Sequence, residues 1–166
     1  MPVDIAILLR RDHQDILRGL AALLEARTLP QIRNLLDGVR LGLTAHAEAE
    51  DIVLALAVTR CAHPDVMGAM VGHARDQHLA QEGALVDLVE TMPASPPWRQ
   101  RAVRLATLIK IHAAYEDDHV LPTLQDLAEP DVYASLAGRF ATERLRQLAM
   151  LQPSAPIHAM HLARAG

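Results

Sequence analysis

His46-Ala-Glu-Ala-Glu50 and His112-Ala-Ala-Tyr-Glu116 each place an imidazole and a carboxylate four residues apart inside an apolar pattern. At about 100° per residue in a helix, the two side chains of such a pair lie within about 40° of one face and about 6 Å apart along the axis. A lone histidine precedes each pair: His13 stands 33 positions before His46, and His78 stands 34 before His112. His46 to His112 and Glu50 to Glu116 both span 66 positions. The pattern predicts a duplicated helix pair, each half contributing one His and one HxxxE to a shared interior.

Buried unpaired, Glu50 and Glu116 would each cost several kcal/mol, on the order of a lost ion pair, unless they neutralise or meet a cation. No Lys or Arg lies on these stripes at a matching level, so a bound metal is the simplest counter-charge. Imidazole and carboxylate suit a pair of first-row transition ions, whereas Ca²⁺ or Mg²⁺ would demand more oxygen. A structural zinc site is Cys-rich and mononuclear, which this pattern is not. Paired carboxylates and histidines on four facing helices are how dinuclear iron sites are built in bundle cores. Iron is therefore expected ahead of zinc or manganese.

The elements that must carry these residues follow from apolar periodicity and its breakers. A first helix over about 4–27, with Asp4 as N-cap, carries Leu9, His13, Ile16, Leu17, Leu20 and Leu24 on one stripe. A second starts at Leu29-Pro30 and runs to about Val58; a third covers about 65–91, and Met92-Pro-Ala-Ser-Pro-Pro97 ends it. A fourth, about 97–121, should stop or kink at Leu121-Pro122, and a fifth covers about 131–151. After Gln152-Pro153 the chain should be irregular, and His63, His158 and His161 should face solvent. The short connections predict an all-α fold: an up-down-up-down four-helix bundle over 1–128, with 129–166 a further helix and tail packed on the same domain.

Half of the 166 residues are hydrophobic but only four are aromatic, so the core must be aliphatic. A net charge of −4 without a basic cluster argues against nucleic acid as partner. No stretch is apolar enough to span a membrane, the first residues lack a signal peptide's pattern, and the single cysteine, Cys61, forms no internal disulfide. A reducing cytoplasm is the expected compartment. No Gly-rich phosphate loop, CxxC or GxSxG is present.

The run Asp12-His13, His46-xxx-Glu50-Asp51, Gln77-His78, His112-xxx-Glu116-Asp117-xxxx-Pro122 resembles the hemerythrin-like (HHE cation-binding) family over about residues 4–124. The resemblance implies an oxo- or hydroxo-bridged di-iron centre, with His13, His46, His78 and His112 as terminal ligands and Glu50 and Glu116 as bridging or terminal carboxylates. It also implies a small ligand such as O₂, NO or peroxide. The chain departs from the oxygen carriers at Ala74, where they have a second helix-3 histidine, and at Glu116, since their helix-4 carboxylate would correspond to Asp117. At about 140° from His112, Asp117 points further from the interior than Glu116 does.

Three residues border the expected site. Glu82, four after His78, is read as a seventh ligand or an acceptor for a ligand histidine, against a solvated helix Glu. His119, seven after His112, falls on the inner stripe as a hydrogen-bonded histidine next to the ligands, and Tyr115 borders that stripe as a cap on the pocket. Function is thereby narrowed to three classes: a carrier of O₂ or a similar ligand, a di-iron oxidase or oxygenase acting on a small organic substrate, or an iron-handling or sensing module. A Glu82 ligand would favour the oxidant, because an added anionic oxygen donor stabilises ferric iron.

Overall fold

A computed structural model describes residues 4–152. Its helices are α1 (Ile5–Glu25), α2 (Leu29–Val58), α3 (Pro64–Val89), α4 (Pro96–Tyr115), a π-helical turn (Glu116–Val120), α5 (Leu121–Leu127) and α6 (Pro130–Leu151). Among the described residues there is no strand, only one isolated bridge between Cys61 and Ala128.

The helix starts are set by local chemistry. Asp4 accepts from the Ala6 N–H at 2.8 Å. Thr28 and Gln31 form a reciprocal capping box at α2, and the Ser95 hydroxyl accepts from the Trp98 N–H at α4. Prolines sit in the first turn of α2, α3, α4 and α6, where the missing N–H costs nothing.

α1 packs on α2 and α4, and α3 packs on α2 and α4, so the four long helices close a ring; α6 lies against α2 and α1. The interior has two apolar clusters with a polar layer between them. One gathers Ile5, Leu9, Val53, Leu54, Met67, Val120, Leu124 and, from α6, Leu136 and Phe140. The other gathers Ile16, Leu20, Val39, Leu43, Leu85, Leu88, Trp98, Leu105 and Ile109. α1 and α3 run from the first cluster to the second, while α2 and α4 run from the second to the first. Each of α1, α2, α3 and α4 therefore crosses the middle layer once, and His13, His46, Glu50, His78, His112 and Glu116 all stand there, none more than 5% exposed. α1 and α2 approach closely at Gly19, where a Cβ would come within 3.1 Å of Val39 Cγ2.

The fourth helix departs from expectation. It neither ends nor breaks at Leu121-Pro122; it continues as α5 through a π turn in which the Leu121 N–H donates to the Glu116 carbonyl. A π turn inserts one residue and widens the helix where Pro122 would otherwise crowd the preceding carbonyls. The insertion also rotates everything after Glu116. Val120, not His119, becomes the inward residue, and His119 is left exposed.

Candidate metal centre

One nitrogen or oxygen from each of His13, His46, Glu50 and His112 lies within 4.8 Å of all the others. His78 and Glu116 adjoin this group. His78 Nε2 is 3.9 Å from Glu50 Oε1, and Glu116 reaches His13 Nε2 at 3.4 Å and His112 Nε2 at 3.6 Å. Glu50 Oε2 is 3.3 Å from His46 Nε2 and 4.0 Å from His112 Nε2. Donors bound to one first-row ion at about 2.1 Å stand about 3 Å apart, so these spacings need little adjustment to close on metal.

Hydrogen bonding decides which imidazole nitrogen faces inward. Asp51 Oδ1 accepts from His78 Nδ1–H at 2.9 Å, and Gln77 Oε1 accepts from His112 Nδ1–H at 3.1 Å. Asp12 Oδ2 faces His46 Nδ1 at 3.5 Å. With the proton on Nδ1, Nε2 carries the lone pair, so the 3.0 Å approach of His78 Nε2 to His112 Nε2 sets two acceptors against each other. Two facing lone pairs repel, and a cation between or beside them removes the conflict. His13 Nε2, His46 Nε2 and all four oxygens of Glu50 and Glu116 have no hydrogen-bond partner either. This donor set fits a bound transition metal.

The protonation energetics agree. Burial pushes the Glu50 carboxyl up to about 7, and burial with the Glu50 charge beside it pushes Glu116 well above the usual carboxylate range. Burial, with the other histidines close by, holds the imidazoles of His13 and His112 far below their ordinary value, so both are neutral bases. Burial would raise Asp12, but His46 and Arg144 bring it below the ordinary carboxylate value.

The groups that hold the buried imidazoles pass from helix to helix: Asp12 on α1 faces His46 on α2, Asp51 on α2 holds His78 on α3, and Gln77 on α3 holds His112 on α4. Asp117, in the π turn, breaks the sequence, since its Oδ1 accepts from Arg10 Nε at 2.7 Å on the surface. It is one residue along from the inward Glu116, as the angular argument expects.

Three predicted positions are corrected. Glu82 is exposed and outside the donor group; the inward residue of that turn is Gln81, 1% exposed, because the helix face turns back at three residues after His78 as readily as at four. His119 is turned out by the π turn, and Tyr115 packs its ring on His73 and His119 at 4.5 and 5.1 Å rather than over the ligands. His158 and His161 lie outside the described residues. Two contributors escaped the sequence reading. Phe140 on α6 places its ring 5.9 Å from that of His46, and Arg144, one turn on, donates to Asp12. Their only sequence signal is a shared face with Leu136 on α6.

A cleft of about 360 Å³ opens between α2 and α3, with Asp51, His78 and Gln81 in its lining and Leu43, Ile52, Leu79 and Leu85 among its apolar walls. No helix among the described residues is long and apolar enough to cross a membrane. The family model for the hemerythrin HHE cation binding domain matches residues 4–124. Neither a curated protein nor a solved structure matches the chain.

Proposed function

The chain belongs to the hemerythrin HHE cation-binding family, and on that premise we propose that it is a non-haem di-iron protein that binds or activates O₂, or a related small ligand such as NO or peroxide. Its four long helices form an up-down-up-down bundle, a reading supported by the alternating order in which they cross the two apolar clusters. His13, His46, His78 and His112 with Glu50 and Glu116 would hold the metals. The observation that carries this is the convergence of buried His13, His46, Glu50 and Glu116 atoms that have no hydrogen-bond partner, beside His78 and His112, whose Nδ1–H groups point outward to Asp51 and Gln77. Iron bound there supplies a reversible change of oxidation state and an exchangeable position for a small ligand. The protein's part is to keep the imidazoles neutral, fix their rotation, and exclude water with an apolar cluster on either side. Four imidazoles with two carboxylates and no thiolate favour iron over zinc.

A second reading, a di-iron oxidase or oxygenase acting on a small organic molecule, is favoured by the cleft that reaches His78. The argument for it from Glu82 is gone, since Glu82 lies exposed. The test is elemental analysis of protein produced with iron, joined to optical spectra of the reduced form before and after O₂. Two iron ions per chain and a charge-transfer band that appears with O₂ are expected. One ion or none after reconstitution would reject the dinuclear centre.

A further inference from the structure

Gln81 is a buried polar residue that the metal set does not use. It is 1% exposed, and neither its Oε1 nor its Nε2 has a hydrogen-bond partner. An amide brings two donors and an acceptor with two lone pairs, and leaving them all unpaired in a core is a stability cost that an apolar side chain would avoid. The duplicated half shows what that side chain would be. Ile16 stands three residues after His13 as Gln81 stands three after His78, and Ile16 is an ordinary member of the apolar cluster. Gln81 lines the α2–α3 cleft together with His78, and its amide lies just beneath that surface.

We propose that Gln81 is the residue that hydrogen-bonds a small anionic ligand entering through the α2–α3 cleft, orienting it against the metals beside His78. This rests on the di-iron reading above. The amide N–H groups face an anion favourably, and bonds to a charged acceptor are about twice as strong as neutral ones. The cleft suits a compact ligand, with Thr44, Asp51, Arg75, His78 and Gln81 among its polar groups and aliphatic walls between them. The first half has no counterpart, because Ile16 offers no hydrogen bond. A ligand that enters through this cleft is therefore held on the His78 side of the centre.

The test uses the iron-loaded full chain with azide as the probe anion, in the parent, Gln81→Leu and Gln81→Glu. Gln81→Leu keeps the volume and removes the donors; Gln81→Glu keeps the shape and sets a carboxyl against the anion. Iron per chain should be unchanged in both. The azide dissociation constant, read from its charge-transfer band, should weaken about tenfold in Gln81→Leu and further in Gln81→Glu. The metal-free Gln81→Leu protein should melt higher than the metal-free parent, since it no longer buries an unpaired amide. Azide affinity within about twofold of the parent in both variants would overturn the proposal. Loss of iron from either variant would also overturn it, by making Gln81 part of the metal set. A parent that binds no iron would overturn the di-iron reading, and this proposal with it. Should Gln81→Leu fail to fold, the isosteric Gln81→Glu carries the affinity comparison alone.

Discussion

The two HxxxE segments present the same donors 66 positions apart, yet the groups behind them differ in kind. On the first, His46 is backed by Asp12, which Arg144 of α6 holds, with Phe140 packed alongside. On the second, His112 is backed by the neutral amide of Gln77, whose Nε2 lies 3.2 Å from His73 Nε2 on the surface. Glu50 is followed by Asp51, which grips a ligand; Glu116 opens the π turn, and Asp117 turns to Arg10. A carboxylate behind an imidazole makes it a stronger base than an amide does. The two halves therefore share donor types while their supports differ, and on the di-iron reading they should hold metal unequally.

The largest expected effect sets the carboxylates against each other. Glu50 approaches His46, His78 and His112, whereas Glu116 approaches His13 and His112. Glu50→Ala should leave less than one ion per chain and melt as the metal-free protein does. Glu116→Ala should retain close to one. Full metal removal from the parent should lower the melting temperature by about 10 °C, as expected when a site occupied far above its dissociation constant is emptied. Equal metal loss in the two variants would erase the asymmetry.

A pH series on the metal-free protein comes next. His13 and His112 are held below the ordinary value, so their contribution favours the fold more as pH rises towards about 6.5 and is complete above it. Glu50, raised to about 7, and Glu116, raised further, act in the opposite sense, because the fold keeps protons that the unfolded chain gives up. Above about pH 6.5 only the carboxylates still act, and stability should fall by about 1.4 kcal/mol per pH unit for each proton retained. Melting curves between pH 6.5 and 8.5 should show this loss in the metal-free form and not in the loaded one, where metal takes the protons' place. Glu50→Gln and Glu116→Gln should each reduce the slope, and a slope unchanged in both would show that this carboxylate pair does not carry it.

A smaller effect tests the supports. Asp51→Asn weakens the hold on His78 and should cost about 10–100-fold in metal affinity. Asp117→Asn at the matching position should change affinity by no more than about twofold, because an exposed pair with Arg10 contributes little. Competitive titration with a chromogenic chelator reads both, and comparable losses would place Asp117 at the centre after all.

The buried cluster of four histidines and two glutamates was legible because burying such a residue on an aliphatic stripe is costly, and the same cost recurs 66 positions further on. Helix limits were legible because Asp4, Thr28, Ser95 and the first-turn prolines act locally. What stayed hidden depends on register and on distant chain. His119 was assigned inward by counting at 3.6 residues per turn, and a single π turn moved that place to Val120. Glu82 and Gln81 compete for one face, and periodicity alone does not choose between neighbours. Arg144 and Phe140 arrive on α6, outside the duplicated pattern, so no spacing announced them.

The smallest effect concerns that π turn, which α4 has and α2 lacks. Two causes are available: the Pro122 ring, which cannot follow a regular α-helix without a clash worth about 3 kcal/mol, and the packing of the residues beyond it. Reverting to α geometry would turn Val120, Leu121 and Leu124, all 4% exposed or less, off their present face and bring His119 inward. Each aliphatic side chain withdrawn from the core forfeits about 1.5–3 kcal/mol, so their sum exceeds what relief at Pro122 returns. Packing should therefore keep the turn without the proline. Pro122→Ala should retain both metals and lower the melting temperature by only about 2–4 °C, the loss expected from a more flexible unfolded chain. His119 should remain as reactive to diethyl pyrocarbonate as in the parent. A His119 that becomes protected in Pro122→Ala would show that the proline, rather than the core, holds the two HxxxE helices in different registers.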